Sequence, residues 1–141
     1  MTTRARTGAV VVGAALEELH IPITTALVVG GAIATRDFED VHHDPRAARL
    51  KGTPDVFMNI LTTTGLVGRF ITDWAGPAAR LRRVALRLGA PNHPGDTMVL
   101  RGSVTAVDGG RVEVAVVGAN GLGDHVRATV VVDLEQPGAT P

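Results

Sequence analysis

Cysteine is absent from the chain, and that absence removes three kinds of chemistry at once: a disulfide framework, a thiolate metal site and a cysteine nucleophile. Lysine is nearly absent too, Lys51 standing alone among 14 basic residues. Net charge is missing as well. Fourteen Lys and Arg balance 14 Asp and Glu, so nothing in the charge favours capture of nucleic acid or of an anionic membrane. No apolar run approaches the roughly 20 residues a membrane helix needs. Arg4-Ala5-Arg6 followed by Gly8 to Leu16 has the outline of a signal peptide, but Glu17 and Glu18 cut the run short and no cleavage site follows. The chain reads as cytoplasmic.

What is present is enough for one domain with a real core. A length of 141 residues is too short for two ordinary domains, so residues 1–141 read as one, with ends at about 1–8 and 136–141 expected to fray. Apolar residues at 45% and charged residues at 20% match a globular protein and exclude wholesale disorder. The second half alternates apolar and polar residues with period two. Val84, Leu86 and Leu88 give a strand with one buried face, and Met98, Leu100, Val104 and Ala106 give another. Asp108-Gly109-Gly110 predicts a tight hairpin turn. Val112, Val114 and Val116 follow it. Asn120-Gly121-Leu122-Gly123 turns the chain again before Val126, Ala128, Val130, Val132 and Leu134.

The first half differs. Ile23 to Ile33 is β-rich and reads as a strand. Asp44-Pro45, then Arg46 to Lys51 and Gly52, is a short helix with a cap, proline at its first position and glycine at its exit. A longer helix carries a stripe at Ile60, Thr64, Val67, Ile71 and Trp74 and ends at Gly76-Pro77. Gly65 and Gly68 interrupt it at about 1 kcal/mol each relative to alanine, which predicts close backbone packing there. One helix followed by an antiparallel meander without parallel crossovers gives an α+β domain.

Ionisable residues are densest at Asp37-Phe38-Glu39-Asp40-Val41-His42-His43-Asp44-Pro45, between a predicted strand and a short helix, where active-site residues often lie. Three readings compete. His42, His43 and the acidic run offer metal-ligand types, although adjacent histidines diverge in an extended segment and no second His-containing motif partners them. A solvated turn accounts for Glu39, Asp40 and His43, with Asp44 capping the short helix. Carboxylate and imidazole side chains also suit acid–base chemistry, which makes Asp37 and His42 candidates among several ionisable neighbours. Five arginines crowd between Arg69 and Arg87; arginine forks suit phosphate, while solvated surface arginines are the commoner case.

The run Asp37-x-x-x-x-His42-x-Asp44-Pro45-x-x-Ala48 resembles the Asp-x-Asn-Pro-x-His-x-Asp-Pro-x-x-Ala signature of the MaoC-like, (R)-specific enoyl-CoA hydratases, with Glu39-Asp40 in place of Asn-Pro. Further segments resemble one branch of that family, the small catalytic subunits of actinobacterial steroid side-chain enoyl-CoA hydratases. They are Ala34-Thr35-Arg36-Asp37-Phe38 through His42-His43-Asp44, Asn59-Ile60-Leu61-Thr62, Thr64-Gly65-Leu66-Val67, Thr72-Asp73-Trp74-Ala75-Gly76-Pro77 and Leu122-Gly123-Asp124-His125-Val126. The resemblance runs from about Leu16 to about Leu134. It implies a single hotdog fold, a long central helix wrapped by a curved antiparallel sheet. It also implies hydration of a 2-enoyl-CoA thioester without a cofactor or metal, with Asp37 and His42 as the catalytic pair. The implied substrate is a steroid CoA with a shortened side chain. The implied partner is a larger MaoC-like subunit in a heterodimer or heterotetramer, with an aldolase reached through that subunit.

In the wider family a His-Gly pair stands where Met58 and Asn59 stand here, and the glycine N–H binds the thioester oxygen. The resemblance thus implies an oxyanion role for the Asn59 backbone N–H. Thr53-Pro54 and Asn59 are alternative starts for the long helix, and the oxyanion role requires the later start or an irregular first turn, which is the expectation. Met58 fits either a pocket for a bulky apolar substrate or plain core filling. Arg80, Arg82, Arg83 and Arg87 are candidates for the CoA phosphates. Rival readings are a homodimeric hydratase of straight-chain enoyl-CoA, a non-catalytic hotdog partner and a hotdog thioesterase.

Overall fold

The computed structural model describes residues 9–134; the ends expected to fray and the basic start at Arg4-Ala5-Arg6 lie outside the described residues. The elements run β1 (Leu19–Pro22), α1 (Thr25–Ala34), a 3-10 turn (Asp40–His42), α2 (Pro45–Leu50), α3 (Ile60–Ala75), β2 (Arg80–Leu88), β3 (Thr97–Asp108), β4 (Arg111–Asn120) and β5 (Gly123–Asp133). The strands form one antiparallel sheet of order β1-β3-β4-β5-β2. Both predicted hairpins form, each with a two-residue loop, and Gly109 supplies the positive φ of the first at 58°.

The alternation that predicted the strands also builds the core. Val112 pairs with Val132, Val114 with Val130 and Val116 with Ala128, and all six are buried with Met98, Leu100 and Val104 against Val67, Phe70 and Ile71 of α3. Each side chain of this size contributes about 1.5–3 kcal/mol on burial, so this layer dominates stability. A long helix seated on one face of a five-stranded antiparallel sheet is the hotdog arrangement, in the α+β class. No helix among the described residues is long and apolar enough to cross a membrane.

Four expectations change. The strand in this region is Leu19–Pro22, and Ile23 to Ile33 is not one, because helix α1 occupies Thr25–Ala34. Thr24 caps it, its hydroxyl accepting from the Leu27 N–H at 3.0 Å, and Val28 and Ala32, one helical turn apart, are its buried residues; tertiary burial overrides the β-propensity of its valines. In α3 the core face runs through Thr63, Val67, Phe70 and Ile71, whereas Ile60 is 48% exposed. Val67 and Ile71 of the expected stripe are buried and Trp74 packs against the core, while Phe70 and Thr63, the latter bonded to His125, join them in place of Ile60 and Thr64. A Cβ on Gly65 would meet nothing within 4 Å and one on Gly68 only Leu81 at 3.7 Å, so close packing does not explain either glycine. It does explain Gly31, whose Cβ would lie 2.3 Å from Thr62 Oγ1. Finally, β2 is an edge strand with Val84 and Leu86 half-buried and Leu88 exposed, since it has a neighbour on one side only.

Candidate active site

Asp37 is aimed by the end of helix α1. The Arg36 N–H reaches Ile33 O at 3.1 Å and the Asp37 N–H reaches Ala32 O at 2.9 Å, the paired closing bonds of a Schellman motif. Its left-handed position, usually glycine, is Arg36 at φ 59°, and no other described non-glycine residue has positive φ. That conformation costs roughly 1–2 kcal/mol for a residue with a Cβ. The chain therefore leaves α1 in a strained but fully hydrogen-bonded corner, and Asp37 is the next residue.

His42 closes the 3-10 turn. Its Nδ1 lies 2.7 Å from Phe57 O. A carbonyl only accepts, so Nδ1 carries the proton and Nε2 is the free ring atom. The Phe57 ring meets the imidazole edge-on with centroids 4.9 Å apart. Nε2 then faces Asp37 Oδ2 at 3.5 Å, His42 being buried and the Asp37 side chain 26% exposed. A bare imidazole nitrogen and a carboxylate oxygen are both acceptors. The separation suits a molecule that can donate two hydrogens, as water can.

Asn59 is the N-cap of α3, which starts at Ile60 and not at Pro54. Thr53 is occupied elsewhere, its hydroxyl donating to Asp55 O at 2.7 Å. The segment up to Asn59 is held extended by bonds from Phe57 N to Val41 O, from Met58 N to Asn92 O and from His93 Nδ1 to Val56 O. Among the described residues no hydrogen bond engages the Asn59 N–H, so it is not committed inside a helix. Sequence reasoning missed the Asn59 side chain, whose Nδ2 donates to Asp37 Oδ2 at 3.0 Å and to Thr35 Oγ1 at 2.9 Å. That bond is the main reason the Asp37 carboxyl is held below its usual pKa; the Glu39 N–H and the nearby His42 add to it, and partial burial opposes it.

The neighbours of the pair sort themselves. Asp44 caps α2, its Oδ1 accepting from Arg46 N at 2.8 Å and Ala47 N at 3.2 Å. Glu39 and Asp40 are not simply solvated: both bind Lys51, Asp40 at 2.6 Å, and this holds down the Asp40 pKa. The chain's one lysine thus ties the segment that departs from the family signature to the end of α2. Met58 is buried in the core, with Asn92 Nδ2 3.7 Å from its sulfur, which favours the core-filling reading. Arg82 is engaged by Asp133 at 2.6 Å. Arg80, Arg83 and Arg87 are exposed on the edge strand, and the bonds around Asp37 and His42 involve none of the four arginines.

Residues 9–126 match the family of the MaoC like domain. The chain belongs to that family. It is 54% identical over 120 residues, 85% of this chain and 93% of the relative, to the 3-oxo-4,17-pregnadiene-20-carboxyl-CoA hydratase beta subunit of Mycobacterium tuberculosis. Among solved structures it resembles a chain of the ChsH1-ChsH2 complex from Mycobacterium tuberculosis, with a TM-score of 0.88 and 51% identity, covering 90% of this chain and all of that one. The (R)-hydratase from A. caviae involved in PHA biosynthesis, at 20% identity and a TM-score of 0.83, covers 92% of this chain and all of its own; it shows the shared fold.

Proposed function

We propose that this chain is the catalytic subunit of an enoyl-CoA hydratase, adding water across the 2,3 double bond of a steroid CoA thioester with a shortened side chain. The observation that carries the reading is the 3.5 Å approach of His42 Nε2 and Asp37 Oδ2. It is supported by the similarity to a steroid carboxyl-CoA hydratase subunit. The two acceptors would hold one water on one face of the alkene. As its oxygen bonds to the β-carbon, one of the pair takes a proton and the pair returns a proton to the α-carbon, giving syn addition. Asp37 is the favoured base, with His42 orienting the water and sharing its proton. The thioester oxygen carries enolate charge in between, and the uncommitted Asn59 N–H at the start of α3 is the donor proposed for it.

The reading includes a larger MaoC-like subunit as partner, supported by the likeness to a chain of a two-component complex, with the aldolase contact reached through it. Ile33, Phe38, Ile60 and Leu61, on or beside the elements carrying Asp37 and Asn59, are exposed apolar residues, suited to an apolar acyl group or to the partner. Arg80, Arg83 and Arg87 are candidates for the CoA phosphates, while Arg82 already has Asp133. The cytoplasm is the compartment proposed.

Co-expression with the larger subunit and a hydration assay on steroid and short-chain enoyl-CoAs test the reading. Hydration of the steroid substrate by the complex is expected. Full activity of the isolated chain on crotonyl-CoA would instead favour a homodimeric straight-chain hydratase, and release of free CoA a thioesterase.

A further inference from the structure

The geometry points to the Asn59 side chain as the positioning residue that turns the Asp37 carboxylate toward His42. This goes beyond the backbone role proposed for Asn59 and rests on the hydratase reading. The amide orientation follows from its partners. Thr62 N, which can only donate, lies 3.0 Å from Asn59 Oδ1, and the Thr62 hydroxyl donates to the same oxygen at 2.5 Å. The oxygen end is thereby assigned to α3, and the two Nδ2 hydrogens must point at Asp37 Oδ2 and Thr35 Oγ1. Thr35 can receive one because its own hydrogen goes to Gly31 O at 2.7 Å. Every donor in this circuit has an acceptor.

The circuit depends on the close approach of α1 and α3. A Cβ at Gly31 would lie 2.3 Å from Thr62 Oγ1 and 2.8 Å from its Cγ2, so only glycine lets Thr62 sit where it closes the loop. Asn59 is 2% exposed, so water is a poor substitute for these bonds and losing one is costly. The carboxylate oxygen that takes the amide is also the one facing His42. The other, Oδ1, has among the described residues only the Glu39 N–H at 3.3 Å. Without the amide, the carboxylate is free to rotate and the pair loses its alignment. The same bond is the leading cause of the lowered Asp37 pKa, so removing it also makes the base harder to ionise.

Asn59→Gly and Asn59→Ser separate this role from the others. Both keep the backbone N–H, and both residues are acceptable helix caps. In the complex with the larger subunit, kcat for hydration should fall about ten- to a hundredfold, as for a misaligned reacting group, with KM within about twofold. The acidic limb of the kcat/KM profile should move to higher pH in both variants. Unchanged kcat and an unchanged acidic limb would overturn the proposal, as would a lowered melting temperature with a wild-type pH profile. Asp37→Asn is assayed alongside. If that variant hydrates at the wild-type rate, the hydratase reading of Asp37 fails. If it is inactive while both Asn59 variants behave as wild type, only the positioning role fails.

Discussion

His42 and His125 begin alike and end in opposite roles. Each donates from Nδ1 to a backbone carbonyl at 2.7 Å, His42 to Phe57 and His125 to Ala90, and each is buried. The difference lies at Nε2. In His125 that atom accepts from the Thr63 hydroxyl at 2.8 Å, so the ring is saturated and ties β5 to the first turn of α3. In His42 it faces a carboxylate at a distance too long for a hydrogen bond. A fixed tautomer with a satisfied far nitrogen makes a structural staple; the same tautomer with an unsatisfied one fits the proton-handling role proposed for His42.

Mutation should separate the two histidines, and the largest effect is expected at the open pair. Asp37→Asn and His42→Ala should each lower hydration in the complex by about 10²–10⁴-fold, far more than the melting temperature falls, even for His42→Ala, which also loses the bond to Phe57 O. Steady-state kinetics and thermal unfolding together check this, and retained activity in both would sink the catalytic reading.

At the closed histidine the expectation reverses. His125→Ala leaves Ala90 O and the Thr63 hydroxyl without their partner and opens a cavity. The loss should be about 2–4 kcal/mol of unfolding free energy, measurable by denaturant titration.

A smaller effect is expected from pH. Burial pushes the His125 pKa below its ordinary 6.5, so the folded state resists a proton that the unfolded chain accepts. Stability should therefore be complete above about 6.5 and decline as the pH falls below it. Melting curves at stepped pH should show that decline in wild type and in His42→Ala, and a flatter profile in His125→Gln.

The smallest effect is expected at the corner before Asp37. Arg36→Gly relieves the left-handed strain, offset by the greater flexibility of glycine when unfolded, and should stabilise by up to about 1 kcal/mol. A lower melting temperature would mean that the Arg36 side chain has a role that outweighs the strain.

Much of the fold was legible because its signals are local. The valine alternation of β4 and β5, the Gly109-Gly110 turn, and the Asp44-Pro45 entry into α2 each depend on residues within a few positions of one another. The Asp37 and His42 spacing was legible for the same reason, since a corner and one 3-10 turn separate them. Helix α1 was misread because its valines favour strand, and only the packing of Val28 and Ala32 and the contact of Gly31 with Thr62 reveal why they are helical.

By itself, then, the sequence determined the sheet half of the molecule, the short capped helix and the nearness of Asp37 to His42 along the chain, because period, turn chemistry and short spacing act through nearest neighbours. Tertiary structure decided which face of α3 is buried, which histidine is left open and what Asn59 does. Those outcomes rest on single hydrogen bonds between residues 22 positions apart, as for Asn59 and Asp37, or 62 apart, as for Thr63 and His125. A polar side chain carries no local mark of a partner that far along the chain; the partner exists only once the hydrophobic layer has brought α1, α3 and β5 together.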